Sequence, residues 1–135
     1  MVSIQTEQTI TLGEFIKVLN ESGLGKRRPM EDENLLNQMV LGANLWVTAR
    51  EEGTLIGLMR GISDYCYRTF VADLAVIESW QGKGIGRKLL ICTREVAPSA
   101  RLFLFSAEDA EDFYRKLGFH LHERCYQLKT DEPLC

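Results

Sequence analysis

Leu12, Phe15, Ile16 and Leu19 recur at i, i+3, i+4 and i+7, one apolar stripe of a helix whose other sides are polar. Thr11 stands where an N-cap belongs, Glu14 three residues on completes a capping box, and Gly23 supplies the stop. A second helix is predicted over residues 32–41, with Leu35, Leu36, Met39 and Val40 facing inward and Glu31, Asp32 and Glu33 at its N-terminus, where the helix dipole favours acidic groups. Between the two, GLGKRRP at residues 23–29 has the composition of an exposed loop, so Lys26, Arg27 and Arg28 are expected to be solvated. From Asn44 the period changes to alternation. Residues 45–50, 54–63 and 67–76 predict three successive strands, with Glu52-Gly53 as the first turn and Ser63-Asp64 opening the second, an antiparallel meander. Residues 4–9 predict a short strand ahead of the first helix.

The third meander strand runs through a glycine-rich turn into a helix beginning near Lys83, with Ile85, Leu89, Cys92 and Val96 inward and a stop before Pro98. Residues 101–106, with LFLF at their centre, predict a buried strand parallel to residues 71–76 through a right-handed crossover. A fourth helix over residues 109–117 ends at Gly118, residues 119–128 predict a last strand or hairpin, and residues 129–135 a loose tail. The pattern is that of an α/β protein with a mixed, mostly antiparallel sheet, expected to form a single domain over residues 1–135.

Composition narrows the partners. A chain of 135 residues buries roughly two thirds of its unfolded surface in one core and needs no staples. The net charge of −3 and pI near 5.4 argue against a nucleic-acid binder, whose domain pI usually exceeds about 9. Cys66, Cys92, Cys125 and Cys135 show no CxxC pairing, and no apolar run of about 18 residues is present, so reduced thiols, no membrane contact and a cytoplasmic location are expected. His120 and His122 share one face of the last predicted strand without a third ligand at suitable spacing, and no metal is expected.

The chemistry concentrates in residues 71–90, VADLAVIESWQGKGIGRKLL. Gly82, Gly84 and Gly86 place bare backbone at the first turn of a helix, where several N–H groups lack intrahelical acceptors. Free donors, the positive end of the dipole and missing Cβ atoms make that turn an anion site. Arg87 and Lys88 add positive charge where the dipole alone disfavours it, which points to a strongly negative ligand.

QGKGIG at residues 81–86 resembles the Q/R-x-x-G-x-G/A phosphate loop of the GNAT superfamily of N-acetyltransferases. The preceding strand ending LAV at residues 74–76, the strand that follows the helix, and AEDFYRKLGF at residues 110–119 fall in the order that superfamily shows. The resemblance spans about residues 45 to 120 and implies a sheet splayed between residues 71–76 and 101–106, with acetyl-CoA as cosubstrate in the opening and about four flanking helices. It implies that backbone N–H groups of Gln81, Gly82, Lys83, Gly84, Ile85, Gly86 and Arg87 take the pyrophosphate, and that Leu74, Ala75 and Val76 pair with the pantetheine arm and supply an oxyanion donor. Tyr114 matches the position that many members use as general acid. A phenol of pKa about 10 stays protonated at neutral pH and can serve a thiolate whose acid lies near 8.5.

An amine of pKa about 10.4 is neutral roughly one time in a thousand at pH 7, a cost of about 4 to 5 kcal/mol, so a base is needed. Some similar enzymes place a glutamate early on the first splayed strand; here the position holds Phe70. Glu78, Asp64 or a water chain are the alternatives, and Asp73 reads as structural. The implied acceptor is a primary amine of a small molecule or peptide, and acidic Glu31 to Glu33, Glu51, Glu52 and Asp64 mildly favour a cationic one. Trp46, Trp80 and Tyr65 are either core or the wall of an acceptor pocket. Similar folds often dimerise through their C-terminal strands, which leaves a homodimer open. Two other classes share some of these features. A dinucleotide-binding oxidoreductase needs G-x-G-x-x-G rather than the G-x-G-x-G found here, and about 50 residues after the turn are too few for a doubly wound domain. A non-catalytic acyl-CoA sensor of the same fold stands as the alternative to an enzyme.

Overall fold

A computed structural model describes residues 1–135. In chain order the elements are β1 (Val2–Glu7), α1 (Leu12–Ser22), α2 (Glu33–Gly42), β2 (Leu45–Glu51), β3 (Thr54–Ser63), β4 (Arg68–Val76), α3 (Ile85–Val96), β5 (Arg101–Phe103) and α4 (Glu111–Lys116), with single 3-10 turns at Leu24–Arg27, Glu78–Trp80 and Glu108–Ala110. No helix is long and apolar enough to cross a membrane. Two compact units divide the chain, residues 1–105 and 106–135.

The first unit is one five-stranded sheet in the order β1-β2-β3-β4-β5, antiparallel except for the parallel β4–β5 pair. Each helix forms for a local reason. Thr11 accepts from the Glu14 backbone N–H while the Glu14 carboxylate accepts from Thr11 N–H, so both ends of the capping box close, and Gly23 takes the left-handed conformation (φ 88°) that ends α1. Asp32 caps α2 through the Leu35 N–H. Phe15, Leu19, Leu36, Trp46, Leu58, Met59 and Leu89 fill the core and are fully buried. The Trp46 ring is fully buried and meets Phe15 edge-on at 5.9 Å, which makes it a core residue. In α3 the inward side is Ile85, Leu89, Leu90 and Thr93, with Thr93 Oγ1 donating to the Leu89 carbonyl; Cys92 and Val96, expected inward, are only half-buried. The predicted face was rotated by part of a turn, because a threonine whose hydroxyl bonds within its own helix packs as an apolar residue.

The strand expected over residues 101–106 is only three residues long and half-exposed rather than buried, pairing with β4 through Arg68, Thr69 and Phe70 alone. Past Phe103 the chain leaves the sheet, and β4 from Val71 onward has no neighbour on that side. This is the splay that the resemblance implied.

In the second unit Gly118, at φ 98°, ends α4, and the Phe119 N–H bonds the Tyr114 carbonyl. The last strand or hairpin expected over residues 119–128 does not form: these residues carry no ladder and are exposed beyond Phe119, with Leu121 at 86% and Tyr126 at 92%. Their alternation is real, but a strand needs a partner, and residues 106–135 contain no other strand to supply one.

Candidate active site

Strand β4 changes phase in its middle. The Asp64 N–H bonds the Arg68 carbonyl at 3.3 Å, and by alternation Phe70 also faces β3. At the far end the Ile77 N–H bonds the Ile56 carbonyl at 2.9 Å, so Ala75 and Asp73 face β3 there. Even-numbered residues bond β3 at one end and odd-numbered ones at the other; Ala72 takes up the difference as a bulged residue with no partner in the register. The bulge turns the amides of Leu74 and Val76 to the open edge, while Ala75 bonds into the ladder and is buried. An edge with two unpaired amides two residues apart can accept one more extended chain.

The turn after β4 is built as the sequence indicates. Gly82 (φ 77°) and Gly84 (φ 79°) are left-handed, and a Cβ on either would meet nothing within 4 Å, so the space in front of them is open. Gly84 is the N-cap of α3 and offers no side chain, which leaves the first-turn N–H groups of Ile85, Gly86 and Arg87 uncapped. Residues 82–84 and Arg87 are exposed, and Ile85 is buried as the foot of the helix. Lys83 Nζ lies over the Trp80 ring, 4.9 Å from its centre, which assigns Trp80 to this turn. The Gln81 N–H bonds the Glu78 carbonyl, and its side-chain Nε2 donates to the carbonyls of Val76 at 2.7 Å and Ser22 at 3.2 Å. Gln81 thus fastens the turn to β4 and α1. A diphosphate fits this arrangement: uncapped dipole end, open space over two glycines and flanking cations lie together.

Two contributors escaped the sequence reading. Gly57 on β3 lies against the foot of α3: a Cβ there would meet the Ala75 carbonyl at 3.3 Å and the side chains of Ile85 and Val76 at 3.4 Å. Its signal was a glycine inside a strand, which marks close approach. The second is Arg28, expected to be solvated. Its Nε donates to Asp73 Oδ1 at 2.7 Å, its Nη2 to the Ala72 carbonyl at 3.2 Å and its Nη1 to the Arg27 carbonyl at 2.9 Å. Arg60 holds the other Asp73 oxygen. The Asp73 side chain is fully buried between the two guanidiniums, a structural role as its place within a strand implied.

The carboxylates offered as bases divide. Asp73 is committed to its arginines. Asp64 accepts from the backbone N–H groups of Arg68, Tyr67 and Cys66, which hold its carboxyl down to about 2 and make it a poor base. Glu78 remains, exposed on the 3-10 turn, and lines a cleft with Asn20, Glu21, Ile77 and Ser79. Phe70 packs edge-on against Phe105 at 5.8 Å and offers no proton chemistry. Two more of the acidic residues expected to favour a cationic acceptor have local partners: Asp32 caps α2 and Glu51 pairs with the N-terminal amine at 2.9 Å. Tyr65 is left-handed (φ 65°) and donates its hydroxyl to the Asn44 carbonyl.

In the second unit, Tyr114 sits edge-on to Phe113 and Phe119, with ring centres 5.1 and 5.5 Å away. Burial pushes its pKa above the ordinary phenol value of 10, so the group carries its proton at neutral pH. Burial, with the Glu95 charge adding to it, also raises the Cys92 thiol, which disfavours the thiolate that an acyl carrier would need.

Comparison with known proteins bears on the family. A family model describing an acetyltransferase (GNAT) domain matches residues 42–121. The chain is 35% identical over 72 residues to histone acetyltransferase TAP1 of Glycine max, a stretch covering 51% of this chain and 31% of that protein. It is 36% identical over 64 residues to glucosamine 6-phosphate N-acetyltransferase of Trypanosoma brucei brucei, covering 45% of this chain and 42% of the other. It therefore spans less than half the length of these curated relatives. Among solved structures, the GNAT family acetyltransferase SP0256 from Streptococcus pneumoniae TIGR4 superposes with a TM-score of 0.78 at 23% identity, covering 96% of each chain.

Proposed function

The chain belongs to the GNAT family of acetyltransferases, and from that premise we propose that it transfers an acetyl group from acetyl-CoA directly to a primary amine of a small molecule or peptide. One observation carries the reading: the uncapped, glycine-lined N-terminus of α3 lies at the end of the same strand whose Leu74 and Val76 amides face an open edge.

Each part has work suited to a thioester, which arrives activated and needs holding, charge stabilisation and a proton. Backbone N–H groups from Gly82 to Arg87 would hold the diphosphate, with Lys83 and Arg87 adding charge. Leu74 and Val76 would pair with the amides of the pantetheine arm, and the amide of Leu74, the first past the bulge to face the open edge, is suited to the acyl oxygen. Tyr114, protonated at neutral pH, is assigned the proton for the departing thiolate. With the Cys92 thiolate disfavoured, direct attack by the amine is preferred to a covalent acyl-enzyme. Glu78, alone or through water, is the base of choice once Asp64 and Asp73 are committed elsewhere.

The test is a calorimetric titration with acetyl-CoA and with NAD, followed by thiol release from acetyl-CoA across a panel of amines and peptides. Binding of acetyl-CoA alone with amine-dependent release is expected. No heat with acetyl-CoA would end the proposal. The sensor reading draws on one feature, Phe70 in place of a carboxylate. It predicts acetyl-CoA binding with no release over the whole panel.

A further inference from the structure

We infer that Arg28 is a positioning residue that holds the β4 bulge at Ala72 and so fixes which amides of β4 face the open edge. The catalytic part of this inference rests on the acetyl transfer proposed above. A bulge pulls one peptide out of the ladder, and its carbonyl needs another donor. Here that donor is Arg28 Nη2, 3.2 Å from the Ala72 carbonyl, while Nε of the same planar group is anchored 2.7 Å from Asp73 Oδ1. One rigid fork therefore grips the bulged residue and the residue after it, the two positions between which the hydrogen-bonding phase of β4 switches. Asp73 is in turn fixed by Arg60 from β3, the strand opposite the bulge.

Arg28 is itself held. Its backbone N–H bonds the Gly25 carbonyl at 3.1 Å and its Nη1 the Arg27 carbonyl, so the guanidinium is an arm of the turn between α1 and α2 rather than a free surface group. Its side chain is 22% exposed. A lysine cannot replace it, because one ammonium on a flexible stem does not present two parallel donors to a carbonyl and a carboxylate. A loop 45 residues away in sequence thus sets the orientation of the Leu74 amide.

Two measurements test this on the full chain. The first needs no activity: amide hydrogen exchange of the free protein. In the wild type the Asp73 and Ala75 amides, bonded to β3, are expected to exchange slowly. In Arg28→Ala they are expected to exchange at least tenfold faster, with Thr48 in the distant β1–β2 pairing unchanged. The second is a split between turnover and affinity. Arg28→Ala is expected to lower kcat by tenfold or more while raising the acetyl-CoA Kd by a smaller factor, because the diphosphate turn is untouched and only the pairing of the pantetheine arm with β4 is loosened. Arg28→Lys, which keeps the charge and guards against a folding defect in the alanine variant, is expected to recover less than half of the lost rate. Millimolar guanidinium added to Arg28→Ala is expected to restore part of it. Unchanged exchange at Asp73 and Ala75, or wild-type kcat in Arg28→Ala, overturns the inference. A wild-type protein that ignores acetyl-CoA would instead bring down the proposed function, and the exchange data would still decide the role of Arg28.

Discussion

The side-chain amide of Gln81 donates to the Val76 carbonyl at 2.7 Å, and this bond ties the end of the open strand edge to the turn that opens α3. The two halves of the proposed acetyl-CoA site, amides of β4 and amides of the helix terminus, are thereby held at one spacing. Gln81→Ala is expected to raise the Kd for acetyl-CoA about tenfold, the loss of one to two hydrogen bonds of roughly 1 kcal/mol each in ordering the turn. Titration of the variant checks this; an unchanged Kd would reduce Gln81 to a surface residue.

Gly84 tests the anion site directly. An alanine meets no atoms there, yet the left-handed backbone costs an L-residue roughly 1–2 kcal/mol. Gly84→Ala should lower stability by that amount with some loss of affinity, whereas Gly84→Asp adds an anion where a diphosphate belongs and should nearly abolish binding. Normal acetyl-CoA affinity in Gly84→Asp would remove the turn from the site.

Tyr114→Phe keeps the ring that packs between Phe113 and Phe119 and deletes only the hydroxyl. Turnover is expected to fall about a hundredfold while acetyl-CoA affinity stays within about twofold, the signature of a group needed in the transition state alone. Steady-state and single-turnover rates would show it, and an unchanged rate constant would free Tyr114 of any role.

Acid stability should follow the part-buried cluster of Glu7, Glu14 and Arg50. The hydrogen bond from Arg50, with smaller help from Thr48 and Gln5, holds the Glu7 carboxyl at about 2 against its ordinary 4.5; Arg50 also lowers Glu14. Since the folded pKa lies below the unfolded one, the stabilisation is complete above about pH 4.5 and is lost as pH falls toward 2. Glu7 supplies at most about 3 kcal/mol of it, reduced by solvent screening. Urea midpoints measured between pH 6 and pH 2 should fall, and Glu7→Gln should flatten much of that slope. A slope unchanged by Glu7→Gln would assign the acid sensitivity to other carboxylates.

Much of this protein could be read from short-range pattern. The capping box at Thr11 and Glu14, the stop at Gly23, the turn at Glu52-Gly53 and the span of β3 all depend on groups within a few residues of each other. The glycine-rich turn was legible for the same reason: residues 81–86 bring their own glycines and their own helix terminus. Arg28 was misjudged because a basic run in a glycine-proline loop is usually solvated, and its acceptors lie on a strand 44 and 45 residues later. The face of α3 was misplaced because Thr93 hides its hydroxyl against its own backbone. The strand expected over residues 119–128 failed for a different reason: alternation says that a segment suits a sheet, and says nothing of whether an edge is there to receive it.

The class of fold, the family and the glycine-rich turn that opens α3 follow from the order of residues alone, since local propensity and a contiguous motif fix these within one stretch of chain. Folding alone sets which β4 amides face the open edge, which carboxylates are tied to arginines and backbone N–H groups, and how Gly57 lets α3 come down onto the sheet. Those outcomes depend on a one-residue bulge and on partners brought together by folding, and a hydrogen bond between distant residues leaves no periodicity along the chain to be read in advance.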